Sequence, residues 1–425
     1  MGKVVSAGGA SMAVLTGKTI VVGITGGIAA YKMGETVRAL VQAGANVRVI
    51  MTRAAEEFVT PLTFQTLSGN PVSRHTFDLT EESQIGHIRL ADEADAILVA
   101  PATANTIAKL AMGMADDLLT TVVLATQSPV LIAPAMNVHM YENPVVAENL
   151  ARLVALGRTI IEPDAGFLAC GYEGPGRLPD PHVLLDEVST ALTAKDLGDS
   201  RVLITAGPTW EPLDPVRHIA NRSSGKMGYA LARVAQRRGA DVTLVSGPSA
   251  LAPPRGVDFI GVTTACEMED AVMRRAVAAD VVIMAAAVGD YRPTERAGRK
   301  IKRTRDELEL KLVRNPDILA NVSSLPGTRV LVGFAAETND VVAHARRKLQ
   351  AKGVHLMVAN DVTAPDAGFD VDTNVVTLIE RSGRVDGLDT MSKDDVAAAI
   401  LDRVRTIRAN QHPEPVAARR VRRRR

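Results

Sequence analysis

Residues 19–32 read TIVVGITGGIAAYK, and this stretch decides the fold of the first half of the chain. The apolar, β-branched run at 19–25 predicts a buried strand, and the helix-forming residues at 29–43 predict a helix. Gly26 and Gly27 lie between them, where glycine lets the backbone approach a ligand and a helix start offers free N–H groups to a phosphate. This order of elements is typical of a nucleotide-binding α/β unit.

The same alternation continues through the chain. Further short apolar runs lie at 46–52, 96–102, 129–135 and 159–162, separated by helical stretches such as 103–115 and 144–156. They predict a parallel, doubly wound sheet, which we expect to be flavodoxin-like. At Arg201 the pattern starts again, which predicts a second, Rossmann-like α/β domain.

The length of 425 residues also favours two domains, since a single core rarely grows beyond about 250–300 residues. We expect the first domain at 12–193 and a linker of small and polar residues at 194–200. The second domain is expected at 201–410, followed by a disordered basic tail at 411–425.

Charge and cysteine content argue against several classes of protein. The net charge is +1, but six arginines lie within 419–425, so the remaining chain carries −5 and has no basic surface suited to nucleic acid. Two cysteines, Cys170 and Cys266, cannot form a disulfide framework and favour a reducing, cytoplasmic compartment. The sequence has no apolar run long enough for a membrane helix, so we expect neither a membrane nor a nucleic acid as partner.

Polar residues after the predicted strands of the first half indicate where a ligand binds. Segments 101–106 and 134–140 each follow a strand, and open α/β sheets bind ligands at the carboxyl ends of their strands. The second strand ends at Thr52 without the acidic residue that holds an NAD ribose, which permits a mononucleotide such as FMN. Residues 166–177 form a glycine-rich loop with one thiol, and we expect a mobile flap there.

Together with His75, these segments resemble the flavin-dependent cysteine decarboxylases, specifically the phosphopantothenoylcysteine decarboxylase part of a bifunctional enzyme. The resemblance covers residues 26–177 and implies that His75, Asn137 and Cys170 carry the chemistry. It also implies FMN as the cofactor, with the binding residues Gly26, Gly27, Ile28, Thr52, Pro101, Ala102, Thr103 and Asn105.

The three catalytic residue types suit a decarboxylation. Asn137 can bind the substrate carboxylate through its amide N–H, and Cys170 on the flap can return a proton to carbon. His75 would assist thiol oxidation or orient the substrate, and the sequence does not separate these roles. Taken singly, they are typical of a helix N-cap, a buried cysteine and a surface histidine, so only their combination indicates a site.

The second half contains a phosphate-binding pattern that is not a Walker A loop. Residues 221–228 precede a predicted helix, but Ala220 replaces the first glycine of that motif and Met227 replaces its Ser/Thr. Asp290 follows a strand, and Lys300 lies in the basic segment 299–303, which together suit a triphosphate and a metal. These segments resemble phosphopantothenate–cysteine ligase over residues 201–361.

The ligase resemblance implies CTP and Mg²⁺ as reactants, with an acyl-cytidylate intermediate held by Asn221. The CTP-binding residues that it implies are Met284, Ala285, Ala286, Asp290, Lys300, Pro316, Asp317, Ile318, Leu319, Phe334, Lys348 and Lys352, and Asp290 is also a candidate metal ligand. Without the resemblance, Lys348 and Lys352 would be read as a solvated helix face. The preference for CTP rests on the resemblance alone.

The predicted function is therefore two steps of coenzyme A biosynthesis in one chain: ligation of 4′-phosphopantothenate to cysteine, then decarboxylation to 4′-phosphopantetheine. The resemblance implies a homo-oligomer in which decarboxylase trimers are joined by ligase dimers, as in a dodecamer. Two alternatives remain open from the sequence. One is a non-catalytic regulatory flavoprotein, and the other is an NAD(P)-linked oxidoreductase with two nucleotide-binding domains.

Overall fold

The computed structural model describes residues 14–76, 86–167, 171–302, 308–337, 340–361 and 371–411. It divides the chain into two compact units, Met1–Thr193 and Ala194–Arg425. None of the described helices is both long and apolar enough to cross a bilayer.

The first unit is built on a six-stranded sheet whose paired strands all run parallel. Its strands are β1 (Thr19–Ile24), β2 (Asn46–Met51), β3 (Val72–Ser73), β4 (Ala96–Ala102), β5 (Val130–Pro134) and β6 (Thr159–Ile160). Their order is β3-β2-β1-β4-β5-β6. The predicted doubly wound α/β class is confirmed. The strand order is that of a Rossmann fold and not that of flavodoxin, because β2 and β3 are both added on one side of β1 before the chain crosses to β4 on the other side.

Helices cover both faces of this sheet. They are Met33–Gln42, Arg53–Glu56, Pro61–Ser68, Gly86–Glu93, Ala104–Met112, Leu118–Ala125, Val138–Tyr141, Pro144–Ala155 and Pro181–Leu192, with a 3-10 helix at Ile28–Lys32. Side chains alternate across a strand, so Ile20 and Val22 pack in one core while Val21 packs in the core on the opposite face. Burial on both faces explains why β1 reads as a continuous apolar run.

The segment predicted as a flap is largely a small antiparallel hairpin. Its strands are β7 (Asp164–Phe167) and β8 (Glu173–Arg177). Residues 168–170 between them lie outside the described residues. The mobility of the flap stays a prediction.

The second unit repeats the same arrangement with additions. Its strands are β9 (Arg201–Ala206), β10 (Trp210–Pro212), β11 (His218–Ala220), β12 (Asp241–Ser246), β13 (Asp258–Gly261), β14 (Val281–Met284), β15 (Tyr291–Pro293), β16 (Leu312–Arg314), β17 (Val330–Glu337), β18 (Leu356–Asp361), β19 (Thr373–Glu380) and β20 (Val385–Ser392). The main sheet has the order β13-β12-β9-β14-β17-β18-β19-β20, while β10–β11 and β15–β16 form separate hairpins. Its first six strands are parallel and follow the Rossmann order, which confirms the prediction for this half.

Five helices accompany this sheet among the described residues: Lys226–Arg237, Ala265–Ala276, Ile318–Ser323, Val341–Lys352 and Lys393–Gln411. The last two strands, β19 and β20, are antiparallel, and their connecting turn contains Ser382 and Gly383. Gly383 has a φ of +96°, which glycine adopts without strain at such a turn.

Residues 194–200, expected to be a linker, pack against the second unit. Leu197 is 2% exposed, and its N–H donates to the Arg238 carbonyl at 3.0 Å. Asp196 pairs with Arg238 at 2.7 Å, and this guanidinium holds the pKa of the Asp196 carboxyl below its ordinary value. A small, polar composition does not distinguish a free linker from a segment held by one buried leucine and an ion pair.

The closing helix Lys393–Gln411 is held by a buried ion-pair network. Asp394 accepts hydrogen bonds from Arg233 and from Arg237, the latter at 3.2 Å. The Asp394 and Arg237 side chains are 5% and 6% exposed. Each charge therefore depends on the other for the interactions that water would otherwise supply.

We predict that Asp394→Asn lowers the free energy of unfolding of the second unit by about 3 kcal/mol, because it leaves buried arginine charge without its counter-ion. The measurement is a urea titration followed by the fluorescence of Trp210, the only tryptophan in the chain. The control is Asp402→Asn on the same helix, whose side chain is 61% exposed and should cost less than about 1 kcal/mol. Equal losses in the two variants would contradict the prediction.

Candidate active sites

The first site begins at Thr25, directly after β1. The Thr25 hydroxyl donates to the Pro101 carbonyl at 2.6 Å and accepts the Thr103 N–H at 3.1 Å. It thus joins the carboxyl ends of β1 and β4, the neighbours between which the strand order reverses. Ligands of open α/β sheets bind in the crevice at this topological switch point.

A cavity of about 650 Å³ opens at this point, within the size range of ligand sites. Most of its wall is apolar, with charged groups from Lys32 and Arg177. The residues that line it include Gly26, Gly27, Ile28, Thr103, Asn137, Phe167 and Arg177. Four residues predicted to bind FMN and one predicted catalytic residue are therefore brought together: Gly26, Gly27, Ile28, Thr103 and Asn137.

Four other predicted FMN residues do not line this cavity: Thr52, Pro101, Ala102 and Asn105. Pro101 and Ala102 are buried in β4, where Pro101 supports the site through its bond to Thr25. The Thr52 N–H donates to the Ile24 carbonyl at 3.1 Å, and Asn105 is exposed in the first turn of its helix. Position at a strand end alone does not show which side chains face the crevice.

Asn137 is oriented by the helix that it caps. Its side-chain oxygen accepts the His139 N–H at 2.8 Å at the start of helix Val138–Tyr141. The capping role and the site role therefore use the same side chain. With the oxygen engaged in the cap, any contact of this side chain to a carboxylate comes from its amide N–H groups.

The β7–β8 hairpin is seated beside Asn137 by a close backbone contact. The Met136 N–H donates to the Gly176 carbonyl at 3.0 Å. Gly176 has a φ of +136°, and a Cβ there would lie 2.2 Å from the Met136 carbonyl oxygen. A side chain at Gly174 would likewise meet Val138 at 2.7 Å. Glycine at these two positions is required for the base of the hairpin to reach the cavity.

The remaining two predicted catalytic residues are not brought to this cavity by the described residues. Cys170 lies outside them. His75 is exposed and follows β3, the edge strand two places from β1. The lining also includes Phe167 and Arg177, which the sequence did not single out as binding residues. The sequence feature that could have identified them is their position at the two ends of the predicted flap, residues 166–177.

The second site lies at the corresponding point of the second sheet. The Thr205 hydroxyl accepts the Ala286 N–H at 3.1 Å and thereby joins β9 to the segment after β14. The Thr209 hydroxyl accepts the Gly289 N–H at 3.0 Å, and Asn221 donates its amide N–H to the Val288 carbonyl at 3.0 Å. Backbone residues 286–289 are therefore held by side chains from the end of β9 and from the residues that follow it.

The predicted CTP residues fall on several elements around this point. Met284 ends β14, Ala285 and Ala286 follow it directly, and Phe334 lies half-buried on the adjacent strand β17. Asp317 caps helix Ile318–Ser323 by accepting the Ala320 N–H at 3.1 Å, which fixes the segment containing Pro316, Ile318 and Leu319. Asp290, Lys300 and Lys348 are exposed, and Lys352 is paired with Asp317. That ion pair connects two of the predicted CTP segments.

Among the described residues, no group of three His, Cys, Asp or Glu side chains could hold a metal ion. A cavity of about 580 Å³ lies between the end of helix Val341–Lys352 and the β19–β20 turn, and its wall contains none of the predicted CTP residues.

Comparison with known proteins covers both units. The family model described as "Flavoprotein" matches residues 10–193, and the model described as "DNA/pantothenate metabolism flavoprotein C-terminal domain" matches residues 197–407. A solved structure of the C-terminal domain of a coenzyme A biosynthesis bifunctional protein CoaBC is 41% identical, with a TM-score of 0.44, and covers 50% of this chain and 98% of that chain.

Curated relatives match almost the whole chain. The coenzyme A biosynthesis bifunctional protein CoaBC of Vibrio parahaemolyticus is 49% identical over 93% of this chain and 100% of its own length. The proteins of the same name from Bacillus subtilis and Escherichia coli are 48% and 50% identical, over 92% and 87% of this chain and 97% and 92% of their own lengths.

We predict that Gly176→Ala lowers the amount of flavin that copurifies with the protein several-fold, because the added Cβ separates the hairpin from the cavity wall. The measurement is the ratio of flavin to protein absorbance after gel filtration. The control is Gly157→Ala, which also has a positive φ of +79° but whose Cβ would meet nothing within 4 Å. An equal loss of flavin in both variants would assign the effect to backbone strain and not to the seat of the hairpin.

Proposed function

The chain belongs to the family of coenzyme A biosynthesis bifunctional proteins, and we propose how its two units divide the work. The second unit ligates 4′-phosphopantothenate to cysteine. The first unit, a flavoprotein, decarboxylates the product to 4′-phosphopantetheine. The observation that carries this proposal is the switch-point cavity with Asn137 in its wall and the flap hairpin seated beside it.

The lining of the cavity fits FMN. Gly26 and Gly27 both line the cavity, and glycine at 26 is also required for packing, since a Cβ there would lie 2.4 Å from the Ala54 side chain. The apolar wall suits a flat ring system, while Lys32 and Arg177 offer positive charge to a phosphate. Bound here, FMN would supply the two-electron chemistry that this decarboxylation needs, namely oxidation of the substrate's cysteine thiol to a thioaldehyde and, after loss of CO₂, return of the hydride.

The side chains of this chain bind the substrate and move the proton. Asn137 holds the substrate carboxylate through its amide N–H groups until CO₂ leaves. Cys170 then donates its thiol proton to the carbon of the enethiolate. His75 assists thiol oxidation or orients the substrate.

The second unit activates a carboxylate with CTP. The 4′-phosphopantothenate carboxylate attacks the α-phosphate, pyrophosphate leaves, and the cysteine amine displaces CMP from the acyl-cytidylate. Asn221 holds this mixed anhydride, and Lys300 offsets the charge that gathers on the phosphates. Mg²⁺ enters on the triphosphate, in keeping with the preference of this ion for phosphate oxygens and water over all-protein cages.

The remaining CTP contacts are proposed for residues 284–286 and 316–319 and for Asp290, Phe334, Lys348 and Lys352. We further propose a cytoplasmic homo-oligomer in which decarboxylase trimers are joined by ligase dimers. Gel filtration coupled to light scattering tests this assembly, and a monomer would contradict it.

The function is tested by mixing the purified protein with CTP, Mg²⁺, 4′-phosphopantothenate and cysteine. Release of both pyrophosphate and CO₂ is the expected result. A protein without flavin that releases neither product would contradict the proposal. Reduction of added NAD(P) in place of these products would favour an oxidoreductase.

We predict that Cys170→Ser stalls the reaction after CO₂ loss, because the hydroxyl is a much weaker proton donor than the thiol. The oxidised enethiol product and reduced flavin should accumulate, as followed by flavin absorbance and mass spectrometry. The control is Cys266→Ser, an exposed cysteine of the other unit, which should react normally. Normal phosphopantetheine formation by Cys170→Ser would remove the proton-donor role.

We also predict opposite effects for two asparagine variants. Asn221→Ala should slow pyrophosphate release at least tenfold and leave the decarboxylation of supplied 4′-phosphopantothenoylcysteine intact. Asn137→Ala should do the reverse. Each variant thus controls for the folding of the other unit, and loss of both activities in either variant would contradict the assignment of one reaction to each unit.

A further inference from the structure

A buried carboxylate of the second unit, Asp214, has no role in the chemistry described above. Asp214 lies two residues after strand β10, and only 2% of its surface is exposed. A charged side chain at such burial requires several hydrogen-bond donors around it. The identity of those donors shows what Asp214 holds.

Five donors surround the Asp214 carboxylate. One oxygen accepts the backbone N–H groups of Val216 and Arg217, at 2.8 and 2.9 Å. The other oxygen accepts the Arg217 guanidinium at 2.6 and 3.0 Å and the Ile301 N–H at 3.1 Å. Four donors come from the local turn, and the fifth comes from a segment 87 residues away in sequence.

Both backbone polar groups of Ile301 form hydrogen bonds with this turn. Its N–H donates to Asp214, and its carbonyl accepts a hydrogen bond from Arg217 at 2.7 Å. A further backbone bond joins the Ala297 N–H to the Leu213 carbonyl at 2.9 Å. We call this arrangement of Asp214, Arg217 and Ile301 the clamp.

The clamp holds a segment that is otherwise exposed. Lys300 and Lys302 flank Ile301, and both are exposed, while Ile301 itself is half-buried. A lysine side chain carries about 2 kcal/mol of rotamer entropy, so it stabilises developing charge well only when its backbone is already in place. The clamp therefore fixes the two peptide units on either side of Ile301, the first of which joins it to Lys300.

We infer that Asp214 is a positioning residue for the ligation reaction. It holds the backbone of Lys300 in the position from which the lysine side chain reaches the triphosphate. This inference rests on the role of Lys300 proposed above. The Asp214 carboxylate is surrounded by its five protein donors and acts on the reaction only through Lys300.

The charge state of Asp214 supports the inference. Burial raises the pKa of its carboxyl, but hydrogen bonds from the Arg217 side chain and from the backbone of Val216, Ile301 and Arg217 outweigh burial. They hold the pKa well below its ordinary value. The lowered pKa means that Asp214 keeps its charge, and with it the charge-assisted bonds to Arg217, at pH values where an ordinary aspartate begins to be protonated.

The competing explanation is that Asp214 only stabilises the fold. A double-mutant cycle separates the two, because residues that act through one another give non-additive effects. The four proteins are the full-length chain, Asp214→Asn, Lys300→Ala and the double variant. The measurement is kcat/KM for CTP from pyrophosphate release, with thermal unfolding recorded for each protein.

We expect Lys300→Ala to lower kcat/KM for CTP about 100-fold and Asp214→Asn to lower it about 10-fold. In the Lys300→Ala background, the Asp214 substitution should change it less than about twofold, because the residue it positions is gone. The decarboxylation of supplied 4′-phosphopantothenoylcysteine should be unchanged in all four proteins.

The matched control is Asp280→Asn. Asp280 also accepts a backbone N–H and an arginine side chain across a long sequence separation, from Arg201 at 2.8 and 3.2 Å. It lies before the start of β14, at the opposite end from the residues 284–286 proposed to bind CTP. Its loss should lower the unfolding temperature and leave kcat/KM for CTP unchanged.

Two outcomes overturn the inference and are distinguishable. If Lys300→Ala reacts normally, the CTP role proposed for Lys300 is wrong, and the inference fails with it. If Lys300→Ala is impaired but Asp214→Asn still lowers kcat/KM for CTP about 10-fold in that background, the CTP role of Lys300 stands and the positioning role of Asp214 fails.

A second variant keeps the test decisive if Asp214→Asn does not fold. Ile301→Pro removes the N–H that Asp214 holds, from the exposed side of the clamp. It should reproduce the loss of kcat/KM for CTP and the lack of any further effect in the Lys300→Ala background. An additive effect there would overturn the inference in the same way.

Discussion

A threonine hydroxyl at the topological switch point is the interaction on which both sites of this protein depend. In the first unit it is Thr25, and in the second it is Thr205. Each accepts a backbone N–H from the segment after the neighbouring strand, which adds a side-chain bond between two strands that the sheet already pairs. The crevice at that point is then a fixed feature of the sheet and does not have to form when a ligand binds.

The two units share this sheet topology but surround the strand ends with different structural features. The first unit brings a hairpin against the strand end through Gly176, where only a residue without a side chain fits. The second unit holds its site with side chains that cap backbone groups, such as Asn221 on the Val288 carbonyl and Asp214 on the Ile301 N–H. A shared strand order therefore supports two unrelated reactions, because chemistry resides in the loops that the sheet presents.

The interior charges show a division between stability and function. The Asp394–Arg237 pair joins the closing helix to helix Lys226–Arg237, so we expect its effect to be on folding. The Asp214–Arg217 pair differs, because two of its hydrogen bonds reach Ile301 in the segment that carries Lys300. Whether a buried ion pair matters for activity depends on what its remaining hydrogen bonds hold, since the pair itself contributes little net stability after desolvation.

The sequence by itself determined the two α/β units, the parallel strands and most of the cavity wall of the first unit, from Gly26 and Gly27 to Asn137. These follow from local periodicity and from glycine at strand ends, which depend on neighbours in the chain. Only the tertiary structure decided the strand order, the seat of the hairpin on Met136, the packing of residues 194–200 against the second unit and the clamp on Ile301. Each of these joins residues far apart in sequence, and no local pattern records which distant backbone group a side chain such as Asp214 will hold.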